Sequence, residues 1–272
     1  MKPISTSEKM MFNTIRITAS NGSCGTGSFF NFLVKGKTVP VIITNQHVIN
    51  YNPTEQVSIF FHLKGEDGNS IENLNVQFQT NWIFHKDYDL CFCYAAPLFE
   101  LIKEKFNKEV FYIHNDETLI YSNEKLQDLS ALEELVMVGY PIGLWDEKNN
   151  FPIFRKGFTA SHPALDFNRK NIGIIDMACF PGSSGSPIYI LNENGYTDKK
   201  GNIYIGAQRI ILLGFLFQGP QMNITGEIKV ENIPTVSQKL VSDSKIMVNL
   251  GYYIKAEVLF DFKKVIEKDI QV

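Results

Sequence analysis

Ser184 stands between Gly182 and Gly185 in the segment FPGSSGSP, Phe180 to Pro187. A serine hydroxyl is a weak nucleophile at neutral pH. It becomes useful when a base takes its proton and donors hold the oxyanion it creates. Glycine at Gly182 lets backbone N–H groups near Ser184 converge on one point, an approach that a side chain would obstruct. The segment therefore predicts a nucleophile loop. The chemistry is acyl transfer, provided that the chain also supplies a base and an acid to orient it.

All five histidines, His47, His62, His85, His114 and His162, precede Ser184. That excludes the Ser–acid–His order of α/β-hydrolases. Ser186 also occupies the place where a G-x-S-x-G elbow has its last glycine. The Asp–His–Ser order fails for His47, because no aspartate precedes it. The order His–Asp–Ser stays open. His47 is the strongest base, in VPVIITNQHVI. The run VPVII reads as a buried strand that Thr44-Asn45-Gln46 breaks, so the imidazole sits at the end of a core strand and faces a cleft. A purely structural histidine is the ordinary alternative. Among the acids between them are Asp67, Asp87 and Asp89. Asp89 directly precedes the apolar run Leu90 to Ala95, and a carboxylate at a strand edge suits an imidazole orienter. Asp87 reads as a solvated turn residue and remains the alternative.

Four blocks, GSCGTGSFF (Gly22 to Phe30), TNQHVI (Thr44 to Ile49), DLCF (Asp89 to Phe92) and FPGSSGSPI (Phe180 to Ile188), stand in one order along the chain, with LLGFLFQG (Leu212 to Gly219) as a weaker fifth. In these blocks the chain resembles trypsin/chymotrypsin-like serine peptidases, nearer to bacterial HtrA-type protease domains than to digestive enzymes. The resemblance implies an all-β fold: two six-stranded antiparallel β-barrels of the chymotrypsin type with a C-terminal helix. It implies a triad of His47, Asp89 and Ser184, with oxyanion donors at the backbone N–H groups of Gly182 and Ser184. It puts the pocket for the side chain before the scissile bond at Ala178, Cys179, Phe180, Phe217, Gln218 and Gly219. Ala178 stands where trypsin itself has its acid, so a small or apolar side chain is expected there rather than Lys or Arg. Digestive relatives carry an aspartate just before the nucleophile, paired with an amine released by cleavage. Ser183 occupies that place and the chain does not start with Ile-Val-Gly-Gly, so activation by N-terminal processing is not expected. His162, in TASHPA, reads as a turn residue before Pro163, although acid-specific relatives bind glutamate with a histidine in this half.

The elements that must position these groups are mostly strands. Phe12 to Ala19 alternates, Gly22 to Gly27 reads as a turn, and Ser28 to Val34 with Thr38 to Thr44 predicts a hairpin around Lys35-Gly36-Lys37. Val57 to Leu63, Leu74 to Gln79 and Leu90 to Ala95 add strands enough for one small barrel. Pro97 to Lys108 has helical spacing. A second set comprises Leu135 to Gly139, Phe151 to Ser161, Ile172 to Cys179, Ser186 to Leu191, Ile203 to Ile205 and Arg209 to Phe217. Asn192 to Gly201 reads as a polar hairpin tip, and Glu257 to Lys268 as an amphipathic helix. The expected division is an N-terminal barrel over 1–97, a connector over 98–132 and a C-terminal barrel with the nucleophile loop and terminal helix over 133–272.

Composition bounds the rest. The 272 residues are 44% hydrophobic and 20% charged, with net charge -3. That supports a substantial core and gives no electrostatic case for nucleic acid or an anionic membrane. The four cysteines, Cys24, Cys91, Cys93 and Cys179, include no C-x-x-C pair and read as buried free thiols rather than metal ligands. The N-terminus has no signal-peptide core and no stretch reaches transmembrane length, so a cytoplasmic protein is expected. The expected function is that of a serine endopeptidase with a polypeptide substrate, no metal and no cofactor, with a protein activator or regulator as a further partner. A catalytically idle protease-fold binding module, or an esterase with the same triad, are the alternatives.

Overall fold

Alternating apolar residues make the first strands. β1 (Thr14–Ala19) buries Ile15, Ile17 and Ala19 and leaves Arg16 and Thr18 half-buried on the other face. β2 (Cys24–Val34) pairs with β1 on one edge and with β3 (Lys37–Thr44) on the other, and its side chains are buried on both faces along most of its length. Its alternate residues feed different cores, Phe29 inward and Phe30 with Phe32 toward the other half of the molecule. Lys35 and Gly36, at φ 49° and 76°, make the two-residue turn into β3, the geometry that suits a tight hairpin. The structure is a computed structural model that describes residues 2–228 and 240–270.

Further strands are β4 (Gln56–Lys64), β5 (Ser70–Gln79), β6 (Ile83–Phe84), β7 (Cys91–Tyr94), β8 (Glu109–Phe111) and β9 (Asn115–Asp116). They complete a nine-stranded sheet with the path β5-β4-β1-β2-β3-β7-β6, β8 and β9 lying off it. The six-stranded closed barrel expected here is not what the hydrogen bonds show, because this path has two free ends. Those ends are consecutive in the chain, joined by residues 80–82, so the sheet turns back through a covalent corner instead of a paired seam. Residues 98–132, expected as a connector, carry most of an α-helix, Ala96–Phe106, and also β8 and β9, which pair with β4 and β2. A short helix, Thr6–Met11, precedes β1. It is capped by Ser5 and Glu8 in a reciprocal box and has no counterpart among the sequence expectations.

The C-terminal half closes fully. β10 (Glu134–Gly139), β11 (Ile153–Thr159), β12 (Ile172–Asp176) and β13 (Pro187–Asn192) are followed by a hairpin of β14 (Gly195–Thr197) and β15 (Ile203–Ile205). β16 (Arg209–Gln218), a second hairpin of β17 (Gln221–Ile228) and β18 (Leu240–Met247), and β19 (Leu250–Lys255) complete it. The closed six-stranded barrel runs β10-β11-β12-β19-β16-β13. Its closing strand β19 was outside the sequence expectations, as were β17 and β18; its burial alternates only from Leu250 to Tyr253 and puts Gly251 and Lys255 inside, so its sequence shows no clear apolar alternation.

The expected C-terminal helix is present at Leu259–Asp269, with Leu259, Phe262 and Ile266 buried. Its Phe262 ring lies 4.9 Å from that of Phe92, so the helix of one half covers the sheet of the other. Phe30, Phe32, Val41 and Phe92 share this core with Tyr189, Leu212 and Phe215, each fully buried side chain contributing about 1.5–3 kcal/mol. The Tyr189 hydroxyl is bonded by the Asn13 and Asn115 amides at 3.0 and 2.9 Å. The strands that carry His47 and Ser184 are thus packed into one body. No helix among the described residues is long and apolar enough to cross a membrane.

His62 shows how burial couples the fold to pH. It lies against the Phe12 and Phe151 rings, and its Nε2 donates to the Asn150 carbonyl at 3.2 Å. Burial pulls its pKa down to about 4. The folded chain keeps this ring neutral while the unfolded chain protonates it near its ordinary value. Its contribution is therefore fully present above about pH 6.5 and is lost progressively toward pH 4, by about 3 kcal/mol in total. Urea midpoints of the native protein are expected to fall over this window more steeply than those of His62→Gln. Parallel losses in the two proteins would contradict the assignment.

Candidate active site

β3 stops at Thr44 and the chain turns through a single 3-10 turn, Gln46–Ile49, that carries His47. Val48 and Ile49 are buried and pin the turn. The close approach requires glycine at Gly25, where a Cβ would stand 2.4 Å from a Val48 methyl. His47 Nδ1 lies 2.5 Å from Asp89 Oδ2, and the His47 backbone N–H donates to Asp89 Oδ1 at 3.1 Å. One carboxylate therefore fixes both the ring and the main chain of the same residue. With the proton on Nδ1 held by Asp89, Nε2 is the nitrogen left to accept one. The side chains are 31% and 20% exposed, so the pair is sheltered but open to the cleft.

Two amides that sequence reasoning did not assign hold Asp89 in place. Asn45 Nδ2 donates to the Asp89 carbonyl at 2.5 Å. Gln46 Nε2 lies 2.7, 2.9 and 3.0 Å from the carbonyls of His85, Tyr88 and Leu90. The signal was available in part, as consecutive amides at the exit of a core strand. His85 Nδ1 accepts from the Asp87 and Tyr88 backbones at 3.1 and 3.2 Å, so this histidine shapes the loop before Asp89. Asp87 is exposed, with Lys86 at 3.7 Å. His162 accepts from Ala164 N at 3.2 Å, as a turn residue does. His114 lies beside the Asn115 carbonyl at 3.3 Å.

The nucleophile loop begins with a β-turn. Ser183 N donates to Phe180 O at 3.0 Å, Pro181 is its second residue, and Gly182 is third with φ +88°. This is the type II signature. Ile142 N donates to the Pro181 carbonyl at 2.5 Å. In a trans peptide the N–H points opposite to the C=O, so the Gly182 N–H faces away from Ile142. Gly185 N and Ser186 N are bonded to Leu216 O and Ser183 O at 2.8 and 3.0 Å. Among the described residues, no acceptor pairs with the N–H of Gly182 or of Ser184. These are the donors expected for an oxyanion.

Gly182 and Gly185 are tightly constrained. A Cβ on Gly182 would stand 2.5 Å from the Tyr140 carbonyl, and one on Gly185 2.0 Å from that of Thr26. Thr26 links the halves: its N–H donates to Ser184 O at 2.9 Å and its hydroxyl to Gly182 O at 3.0 Å. Its own carbonyl accepts from the Thr44 hydroxyl at 2.7 Å, three residues before His47. The structure thus joins His47 to Asp89 directly and ties Ser184 through Thr26 to Thr44, at the end of the strand that leads into His47. No hydrogen bond joins Ser184 to His47 among the described residues. Ser183 is fully buried and its hydroxyl has no partner among the described residues, so it makes no ion pair in the aspartate's place.

A cavity of about 410 Å³ lies beside Ser184, with Cys179, Phe180, Phe217, Gln218 and Gly219 in its lining. None of its lining residues is charged. Burial pushes the Cys179 thiol up to about 12, which leaves it a neutral, apolar part of the wall. Leu216 and Pro220 also line the cavity, but Ala178 does not; it is half-buried beyond the end of β12. Cys91 and Cys93 are buried free thiols, as expected, whereas Cys24 is free but only half-buried.

No protein-family profile matches the chain, and no curated protein matches it. Among solved structures, the chain is similar to an inactivated protease paralogue of the scabies mite, SMIPP-S-I1, at 10% identity, with 96% of each chain covered and a TM-score of 0.43. At that distance the likeness carries no weight for what this chain does.

Proposed function

We propose that the protein is a serine endopeptidase in which Ser184 is the nucleophile, His47 the general base and Asp89 the orienting acid. The observation that carries this reading is the pair of N–H groups, of Gly182 and Ser184, without an acceptor among the described residues and beside an uncharged cavity. The ordered blocks of the sequence and the His47–Asp89 pair at 2.5 Å support it. A peptide's side chain enters the cavity and its carbonyl carbon meets Ser184 Oγ. His47 Nε2 takes the hydroxyl proton as the C–O bond forms, and Asp89 stabilises the imidazolium. The carbonyl oxygen, now negative, lies between the Gly182 and Ser184 N–H groups. His47 then gives the proton to the leaving amine, the C–N bond breaks, and water releases the acyl group by the same steps. The uncharged cavity fits a small or apolar side chain before the bond.

Turnover of a randomised, quenched-fluorescence peptide pool tests this reading. Asp89→Asn is expected to cut kcat by about 10⁴-fold with the fold retained, because the wrong tautomer then faces Ser184. An Asp89→Asn protein as active as the native one would remove Asp89 from the triad. One observation favours a second reading, a binding module on the same scaffold: Ser184 and His47 share no hydrogen bond among the described residues. Such a module would bind peptides of the pool and release them uncut. Matched peptide and ester substrates separate peptidase from esterase.

A further inference from the structure

Among the described residues, Arg16 is a cation without an anion. Its Nη2 donates to Cys24 Sγ at 3.0 Å, and its guanidinium carbon lies 4.1 Å from the centre of the Trp145 ring. Its Nε is buried with no hydrogen-bond partner, and no carboxylate lies within ion-pair distance among the described residues. A thiol is a poor acceptor for a group with five N–H donors. Arg209 shows the contrasting arrangement, with Glu133 at 2.6 Å and Asn192 at 2.9 Å. A partly sheltered guanidinium left with ring face and sulfur is set to take a planar anion from outside.

Its place gives the anion a context. Gly143 separates it from the oxyanion loop. A Cβ on Gly143 would stand 3.6 Å from Arg16 Nη2 and 3.4 Å from Cys24 Sγ, while a Cβ on Gly182 would stand 3.2 Å from Gly143 N. Cys24 begins β2, two residues before Thr26, whose N–H holds the Ser184 carbonyl. None of Arg16, Cys24, Gly143 and Trp145 lines the cavity beside Ser184. Gly143 thus adjoins both Gly182 and Arg16 outside the cavity, so a chain that leaves Ser184 on this side would reach Arg16 within a few extended residues, at ~3.3 Å per residue.

We propose that Arg16, backed by Trp145 and Cys24, is a carboxylate subsite on the leaving-group side of Ser184 that selects an acidic residue shortly after the scissile bond. The proposal rests on the peptidase reading for its direction, but the binding itself does not need turnover. The carboxylate comes from an Asp or Glu side chain or from a free C-terminus.

The test uses the full chain with Ser184→Ala and reads Trp145 emission, with Ser184→Ala/Trp145→Phe as the optical blank. The probes are Ser-Glu-Ala-Ala amide, Ser-Gln-Ala-Ala amide and Ser-Gln-Ala-Ala free acid. The Glu amide is expected to bind about tenfold tighter than the Gln amide, the size of one charge-assisted hydrogen bond. The free acid gaining instead of the Glu amide would assign the subsite to a C-terminus. Adding Arg16→Gln is expected to abolish the preference and Arg16→Lys to keep part of it, with melting temperatures confirming that each variant is folded. Equal affinity for all three peptides, or a preference that survives Arg16→Gln, would overturn the proposal. Native turnover of internal Glu and Gln substrates is measured in parallel. Charge-selective binding without turnover removes the peptidase reading and keeps the subsite; turnover without charge preference does the reverse.

Discussion

Ser184→Ala is expected to lower kcat for peptide hydrolysis by about 10³–10⁶-fold while leaving the melting temperature close to that of the native protein. The size follows from the loss of the attacking atom, with the oxyanion donors and cavity left to supply the residual rate. Stability is expected to hold because the Ser184 hydroxyl makes no hydrogen bond among the described residues and the residue is only half-buried. Removing its oxygen leaves no partner unsatisfied. Ser186 is the contrasting neighbour. It is fully buried, and its hydroxyl bonds to that of Thr26 at 3.2 Å, so Ser186→Ala touches the link between the halves. His47→Ala is expected to match Ser184→Ala in kcat, and the double variant to lose little more, because the two residues act as a unit. A single-variant loss under tenfold would mean that another group attacks the substrate.

Ile142→Pro is the second large effect, expected to lower kcat by about 10²–10³-fold with little change in KM. Ile142 sits at φ 54° and ψ 24°, a left-handed conformation that costs a β-branched residue about 1–3 kcal/mol. That conformation aims its N–H at the Pro181 carbonyl, 2.5 Å away. The bond sets the plane of the Pro181–Gly182 peptide and so turns the Gly182 N–H away from Ile142. Proline has no N–H and prefers φ near -65°, so it removes both the donor and the conformation that presents it. The turn is then free to flip, taking one oxyanion donor with it. Ile142→Gly is the control: it keeps the N–H and relieves the strain, so activity is expected to persist and stability to stay level or rise. Similar losses in the proline and glycine variants would show that the Ile142 side chain, and not its N–H, matters.

These expectations rest on features legible in the sequence to different degrees. The histidines' places before Ser184 removed one catalytic order and the lack of an aspartate before His47 removed another, and Asp89 beside its apolar run pointed to the carboxylate that lies against His47. The Lys35-Gly36 turn and the stripe of Leu259, Phe262 and Ile266 were readable because each follows a local rule. The latch at Ile142 was not, because nothing in YPIG marks a β-branched residue held left-handed by a carbonyl some forty residues later in the chain. Gln46 was hidden for a similar reason: an amide shows its role only when the loop from His85 to Leu90 has closed around it. Nothing in the alternation of Phe12 to Ala19 distinguishes Arg16, because only the fold sets Trp145 against it. The N-terminal sheet differs from the barrel that was expected because its last seam is a chain corner, which strand patterns do not record. The cavity kept Cys179, Phe180 and the Phe217 to Gly219 segment but not Ala178, which is half-buried outside its lining.

The most direct measurement of the central claim is covalent labelling with a fluorophosphonate, read by intact mass and peptide mapping. Native protein is expected to take up one equivalent, on Ser184, with no uptake by Ser184→Ala and slow uptake by His47→Ala. A folded native protein that stays unlabelled, or that carries the adduct on another residue, would contradict the assignment of Ser184 as an activated nucleophile.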